Sequence, residues 1–247
     1  MKLLVLVYYG CVQLARARIA SVFLVGGLML VGFSVLLEEI AAGQAGRALV
    51  HIGLAAISLV TSGLAAVLPI LSVRGELDNR HAHVLLTRPI PRSFFVIARF
   101  AATVVVVVAA ALLFSLVLGA LSVVYHGEPF VVVVAAGLYG SLGAVLLAAV
   151  STLASVATTS VTSIVIVSLI FVLGRLTPEL AELAQRGGPS APVLDALARV
   201  LPDLGRFHWF DIASAGDSVG AGLLYCCTYA TFLITVASTV MGGKDLH

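Results

Sequence analysis

The chain has 247 residues, 61% of them hydrophobic and only 11% charged, with a formal net charge of +2 and a mean hydropathy of +1.15. Soluble domains run nearer half apolar and a quarter charged, so the composition excludes a soluble globular fold, a disordered chain, a nucleic-acid binder and a secreted disulfide scaffold. What remains is an all-α integral membrane protein, read as a single transmembrane domain over 1–247. A helix needs roughly 20 residues to cross a hydrocarbon core about 30 Å thick, which leaves room for six spans, short connections and one longer loop.

The N-terminus places Lys2 before an apolar stretch from Leu3 to Val12, followed by Arg16 and Arg18. A secretory signal would end in small residues at a cleavage site, and Tyr8 and Tyr9, ahead of Gly10 and Cys11, are too bulky for lipoprotein processing. Residues 1–18 therefore read as an amphipathic interfacial helix. Six hydrophobic segments follow, at 19–37, 49–73, 94–124, 130–154, 156–176 and 220–241. Pro69 is expected to kink the second, and the third, longer than a bilayer needs, to tilt or project from it. Gly137, Gly140 and Gly143 share part of one face of the fourth, a pattern for close helix packing. The hydroxyls from Ser151 to Ser163 mark a short turn between the fourth and fifth, where they can satisfy backbone carbonyls at a helix break. Cys226 and Cys227 fall within the last span and read as small buried thiols; with Cys11 they make neither a disulfide framework nor a metal-ligand spacing.

Residues 177–218 form the one long loop. Thr177 suits an N-cap, Pro178 the first helical position and Glu179 the helix dipole. Leu180, Leu183 and Ala184 make one apolar stripe; Val193, Leu197, Val200 and Leu201 make another, stopped by Pro202. Phe207, Trp209 and Phe210 stand where an interfacial aromatic belt is expected. Two short re-entrant or interfacial outer helices fit this pattern, either as a simple interfacial cap or to gate an exit or dock an external partner.

Charge placement orients the spans. With both termini inside, the cytoplasmic segments hold Lys2, Arg16, Arg18, Arg74, Arg80, Arg88, Arg92, Arg99 and Lys244, nine basic residues, against five outside: Arg47, Arg175, Arg186, Arg199 and Arg206. The positive-inside rule favours that topology. No charged residue falls near the middle of a segment, which argues against an ion-coupled antiporter and favours an apolar or amphipathic cargo, or a polar one held by backbone and hydroxyl groups. Neither a paired intramembrane aspartate nor a His-Glu-x-x-His motif supports a protease. Gly140-Ser141-Leu142-Gly143 has the look of a nucleophile turn, but the last span supplies no His as base.

The cytoplasmic loop 74–93, RGELDNRHAHVLLTRPIPRS, carries the most information. Glu76 to Leu86 fits about three helical turns; Pro89 and Pro91 then bar continuation, because each lacks an N–H and restricts the residue before it. A short charged helix, a rigid elbow and Arg92 at the membrane surface result, either as a force-receiving element or as a basic loop that only sets topology. His81 and His83 form a His-x-His pair without an evident third ligand, and residues two apart on a helix point in different directions.

Glu76, Asn79, Arg80, Leu85, Leu86, Thr87, Arg88, Pro89, Ile90, Pro91 and Arg92 resemble the loop of ABC-2-type ABC transporter permeases, and the outer LPDLGRF stretch is similar to the family's segment before its last span. Among these permeases the chain looks closest to that of the nitrous-oxide-reductase copper-maturation system, although His81 stands where the family usually has Thr. The resemblance implies six spans with both termini cytoplasmic and a coupling helix between spans 2 and 3. It implies that Glu76, Asp78, Asn79, Arg80, Leu85, Leu86, Arg88, Pro89, Pro91 and Arg92 form the ATPase-coupling helix and elbow. It also implies two ABC ATPase subunits as partners, a second copy of the chain, and residence in a bacterial inner membrane with a periplasmic accessory protein. No Gly-x-x-x-x-Gly-Lys-Ser/Thr loop occurs, so this chain is not expected to be an enzyme or to hold a cofactor; ATP and Mg belong to the partner ATPase. The expected function is that of a permease, in the direction of export. The alternatives are a membrane subunit doing mechanical or scaffold work on a periplasmic partner, and a non-ABC carrier.

Overall fold

The computed structural model describes residues 2–40, 45–74, 92–126, 129–185, 196, 201–207 and 218–242. Every regular element among them is helical. That is the expected solution for a chain this apolar, because a helix satisfies its own backbone N–H and C=O groups where water does not reach. Helix α1 covers Lys2–Ala15 and α2 Arg18–Ile40; α3, Ala45–Pro69, runs on into a π turn, Ile70–Arg74. Then come α4 (Arg92–His126), α5 (Phe130–Ala157), α6 (Ser160–Arg175), α7 (Thr177–Gln185), a 3-10 turn at Gly205–Phe207, and α8 (Ser218–Gly242).

Five stretches are long and apolar enough to cross a membrane: Arg18–Leu37, Gly46–Val73, Phe94–Tyr125, Phe130–Ala157 and Val219–Gly242. The segment expected at 156–176 differs. Helix α6 starts at Ser160 and has only 16 residues, or about 24 Å, short of a hydrocarbon core of about 30 Å. It meets α7 across a 61° bend, so the pair is either one broken span or a re-entrant loop. The late start has a cause in the hydroxyl cluster. Thr158 and Thr159 are extended, and the Thr158 and Ser163 hydroxyls both donate to the Ala154 carbonyl, at 2.9 and 3.0 Å. The turn thus consumes residues that a continuous span would have used.

Helix α5 is the centre of the bundle and packs against α3, α4, α6 and α8. Its buried face is built from small residues, among them Ala136, Ala144, Ala148 and Ala149, which let neighbouring backbones come close. At one such approach the Ser151 hydroxyl reaches across to the Ala66 carbonyl of α3 at 2.6 Å, and the Cys226 thiol of α8 lies 3.6 Å from the Leu142 carbonyl. The outward faces are apolar: Val22 and Met29 on α2, Val161 and Val165 on α6, Leu224 and Phe232 on α8 are all exposed. Such faces suit lipid as their solvent. Cys226 is buried as expected, whereas its neighbour Cys227 is exposed, because adjacent helical residues point about 100° apart.

Helix α1 lies along the start of α4. Its Cys11 thiol sits 3.8 Å from the Ala102 carbonyl, and Arg99 donates to the Gln13 side chain at 3.0 Å. Tyr8 and Tyr9 stay exposed on the other side. The helix stops at Ala15, short of the expected 18, where the Arg16 and Ala17 amides bond back to Val12 and Leu14 before α2 begins.

Replacing Ser151 with Ala removes the α5–α3 hydrogen bond while leaving the close approach. The expected loss is about 0.6 kcal/mol, at most about 1.7, read as a lowered unfolding midpoint of the purified chain in detergent.

Candidate functional site

Two ends of the bundle carry the polar chemistry. At the first, Glu76, Asp78, Asn79, Arg80, His81, His83, Leu85, Leu86, Arg88, Pro89 and Pro91 lie outside the described residues; Arg92 opens α4. The structure does describe the two ends from which that loop hangs. Pro69 has no N–H to offer the Ala65 carbonyl, and the helix continues beyond it as the π turn Ile70–Arg74, a device common at functional positions. The Ser72 hydroxyl bonds the Pro69 carbonyl at 3.2 Å. Val73, just before Arg74, and Val96, four residues after Arg92, then meet Val156, Ala237 and Met241 in a buried cluster separate from the main core. Close-packed interiors transmit displacement rather than absorb it, so a push on either end of the loop reaches α3, α4, α5 and α8 together.

At the opposite end, residues 201–207 fold onto the α6–α7 bend. The Leu204 amide donates to the Gly174 carbonyl at 2.9 Å, the Asp203 amide to the Tyr225 hydroxyl at 3.0 Å, and the Arg206 amide to the Asp203 carboxylate at 3.2 Å. The Arg206 guanidinium lies over the Tyr225 ring, 5.7 Å from its centroid. Phe207, expected in an interfacial belt, is instead buried, its ring 5.6 Å from Tyr139 and 6.4 Å from Tyr225. Gly140 and Gly143 face this segment, with the Phe207 and Leu204 carbonyls 3.8 Å from where their Cβ atoms would stand. Of the three glycines expected to admit a helix, only Gly137 does so, against Ser115 of α4; the other two admit a turn. Thr177 does not cap α7. Its hydroxyl donates backwards to the Gly174 carbonyl at 2.9 Å, closing the end of α6.

The position of the Arg175 side chain is not evident from the sequence: its guanidinium donates to the Ser58 hydroxyl, one residue from the midpoint of α3. Helical side chains tilt toward the helix N-terminus, so an arginine ending a 16-residue helix reaches back into the bundle. The Phe171 ring underlies it at 5.4 Å. The signal that could have located it is the Ser/Thr cluster, which delays the start of α6 and so shortens it.

Among the described residues no three His, Cys, Asp or Glu side chains gather as a metal site requires. Compared with known proteins, the chain matches no family profile and no curated sequence.

A methyl group added at Gly174 would stand 2.8 Å from the Pro202 carbonyl and 3.0 Å from Leu204. Gly174→Ala is therefore expected to destabilise by about 1–3 kcal/mol, whereas Gly26→Ala, which meets nothing within 4 Å, is expected to be neutral or stabilising. Thermal unfolding of the two purified variants side by side measures the difference.

Proposed function

We propose that the chain is the membrane-spanning permease subunit of an ABC transporter of the ABC-2 type. In this reading it works as a pair of copies with two separate ATPase subunits in a bacterial inner membrane, moving its substrate outward. The observation that carries the proposal is the loop sequence from Glu76 to Arg92, with its charged stretch, Leu-Leu pair and Arg-Pro-x-Pro-Arg run. The packing around it supports the same reading. A coupling element must pass force into the spans, and the two ends of this loop enter a single buried cluster shared with the ends of α5 and α8. Helix α4, 35 residues long and so about 52 Å, gives the elbow a long lever, since Arg92 is its first residue.

In this mechanism ATP-driven closure of the partner subunits pushes on Glu76–Leu86. The Pro89–Pro91 elbow keeps that helix from swinging freely, and the displacement reaches the spans through Val73 and Val96. Replacing Glu76 and Arg80 together with Ala is expected to leave insertion and folding intact while ATP hydrolysis becomes independent of substrate. Reconstituted complex, assayed for ATPase activity with and without substrate and for transport, checks this; wild-type coupling in the double variant refutes it.

A further inference from the structure

Between α3, α5, the end of α6 and residues 204–207 lies a cavity of about 230 Å³. Its polar lining consists of Arg175, His51, Ser58 and Ser62, and the glycines of α5 form one wall. The cavity is smaller than the roughly 300–1,000 Å³ typical of sites for drug-sized ligands, so it suits a small ionic group rather than a whole amphipathic molecule.

Two independent observations give that group a charge and a place. The first is Arg175. A guanidinium stays protonated in proteins, and among the described residues this one makes no ion pair: its partners are the Ser58 hydroxyl and the Phe171 ring. Neither neutralises it, and no lining residue is Asp or Glu. A charge half-withdrawn from water with no counter-charge is costly. The second is Ser62. Thirteen Ser and Thr residues are buried among the described residues, and twelve donate to a backbone carbonyl. Ser62, only 7% exposed, is the exception, and it lines this cavity. Buried hydroxyls in folded proteins are normally bonded. An orphan hydroxyl one helical turn from Ser58, in a cavity whose charged group has no counter-ion among the described residues, marks where a ligand atom belongs.

We propose that this cavity binds an oxyanion, a phosphate or carboxylate group, with the Arg175 fork holding its oxygens and Ser62 and His51 completing the contacts. The group arrives either on a free anion or on an anionic lipid head group. This site stands independently of whether an ATPase drives the chain, so its failure and the failure of the permease reading are separate results.

The test is thermal unfolding of the full chain in neutral detergent, titrated with inorganic phosphate, with phosphatidylglycerol, and with an uncharged glycolipid as control. A ligand that binds only the folded state raises the midpoint with its concentration. Wild-type protein is expected to respond to phosphate or to phosphatidylglycerol and not to the glycolipid. Arg175→Gln is expected to weaken the response at least about tenfold, as loss of a charge-assisted bond implies. Gly140→Val leaves Arg175 in place but fills the cavity; its Cβ meets only ordinary contacts, so this variant reads the site even if Arg175→Gln fails to fold. A response to phosphate alone assigns a free anion, and a response confined to phosphatidylglycerol assigns a lipid head group. No response to either, or an undiminished response in Gly140→Val, overturns the proposal.

Discussion

The structure depends on one constraint: in hydrocarbon, every backbone carbonyl that leaves the helical ladder must find another donor. At two breaks among the described residues a hydroxyl or amide supplies it. Thr158 and Ser163 share the Ala154 carbonyl where α5 gives way to α6. At the next break, Thr177 and the Leu204 amide both take the Gly174 carbonyl. Beyond Pro69 the helix widens into a π turn. Breaks that are satisfied in this way become fixed features of the fold, and they decide where the bundle ends, where it bends and which side chains face inward.

The two breaks around α6 have a consequence for function. They shorten the helix until its terminal arginine stands level with the middle of α3, and they bring residues 201–207 down onto the glycines of α5. A polar cavity at that end and a packed apolar cluster at the other are joined by α3 and α5, which line the first and contribute Val73's turn and Val156 to the second. In the proposed mechanism these two helices would carry displacement between the loop and the cavity.

Much of the fold was legible in the sequence because hydropathy over about 20 residues is a strong signal in a bilayer. Five of the six expected segments correspond to helices within a few residues. The hydroxyl cluster was correctly read as a satisfied turn. The segment at 156–176 corresponds to a shorter helix that starts at Ser160 and bends into α7, because apolar content alone does not register a helix that starts late. For the same reason hydropathy does not reveal that the Arg175 side chain reaches back to Ser58 of α3. Phe207 was misplaced for a related reason: an aromatic residue ahead of a span looks the same in sequence whether it anchors at an interface or folds back against Tyr139. The orphan Ser62 is not legible in sequence, since in a chain rich in Ser and Thr only its lack of a hydrogen-bond partner in the fold distinguishes it. The residues from Glu76 to Pro91 lie outside the described residues, so the coupling role proposed for them rests on the sequence pattern and on the packing of Val73 and Val96.

The most direct test of the central claim is the composition of the complex. The tagged chain is extracted from its own membrane in a mild detergent, purified without stripping, and its partners are identified and counted by mass spectrometry. The account predicts a Walker-motif ATPase present in equal amount to the chain. A chain that purifies without any ATPase, in a detergent that preserves its fold, contradicts it.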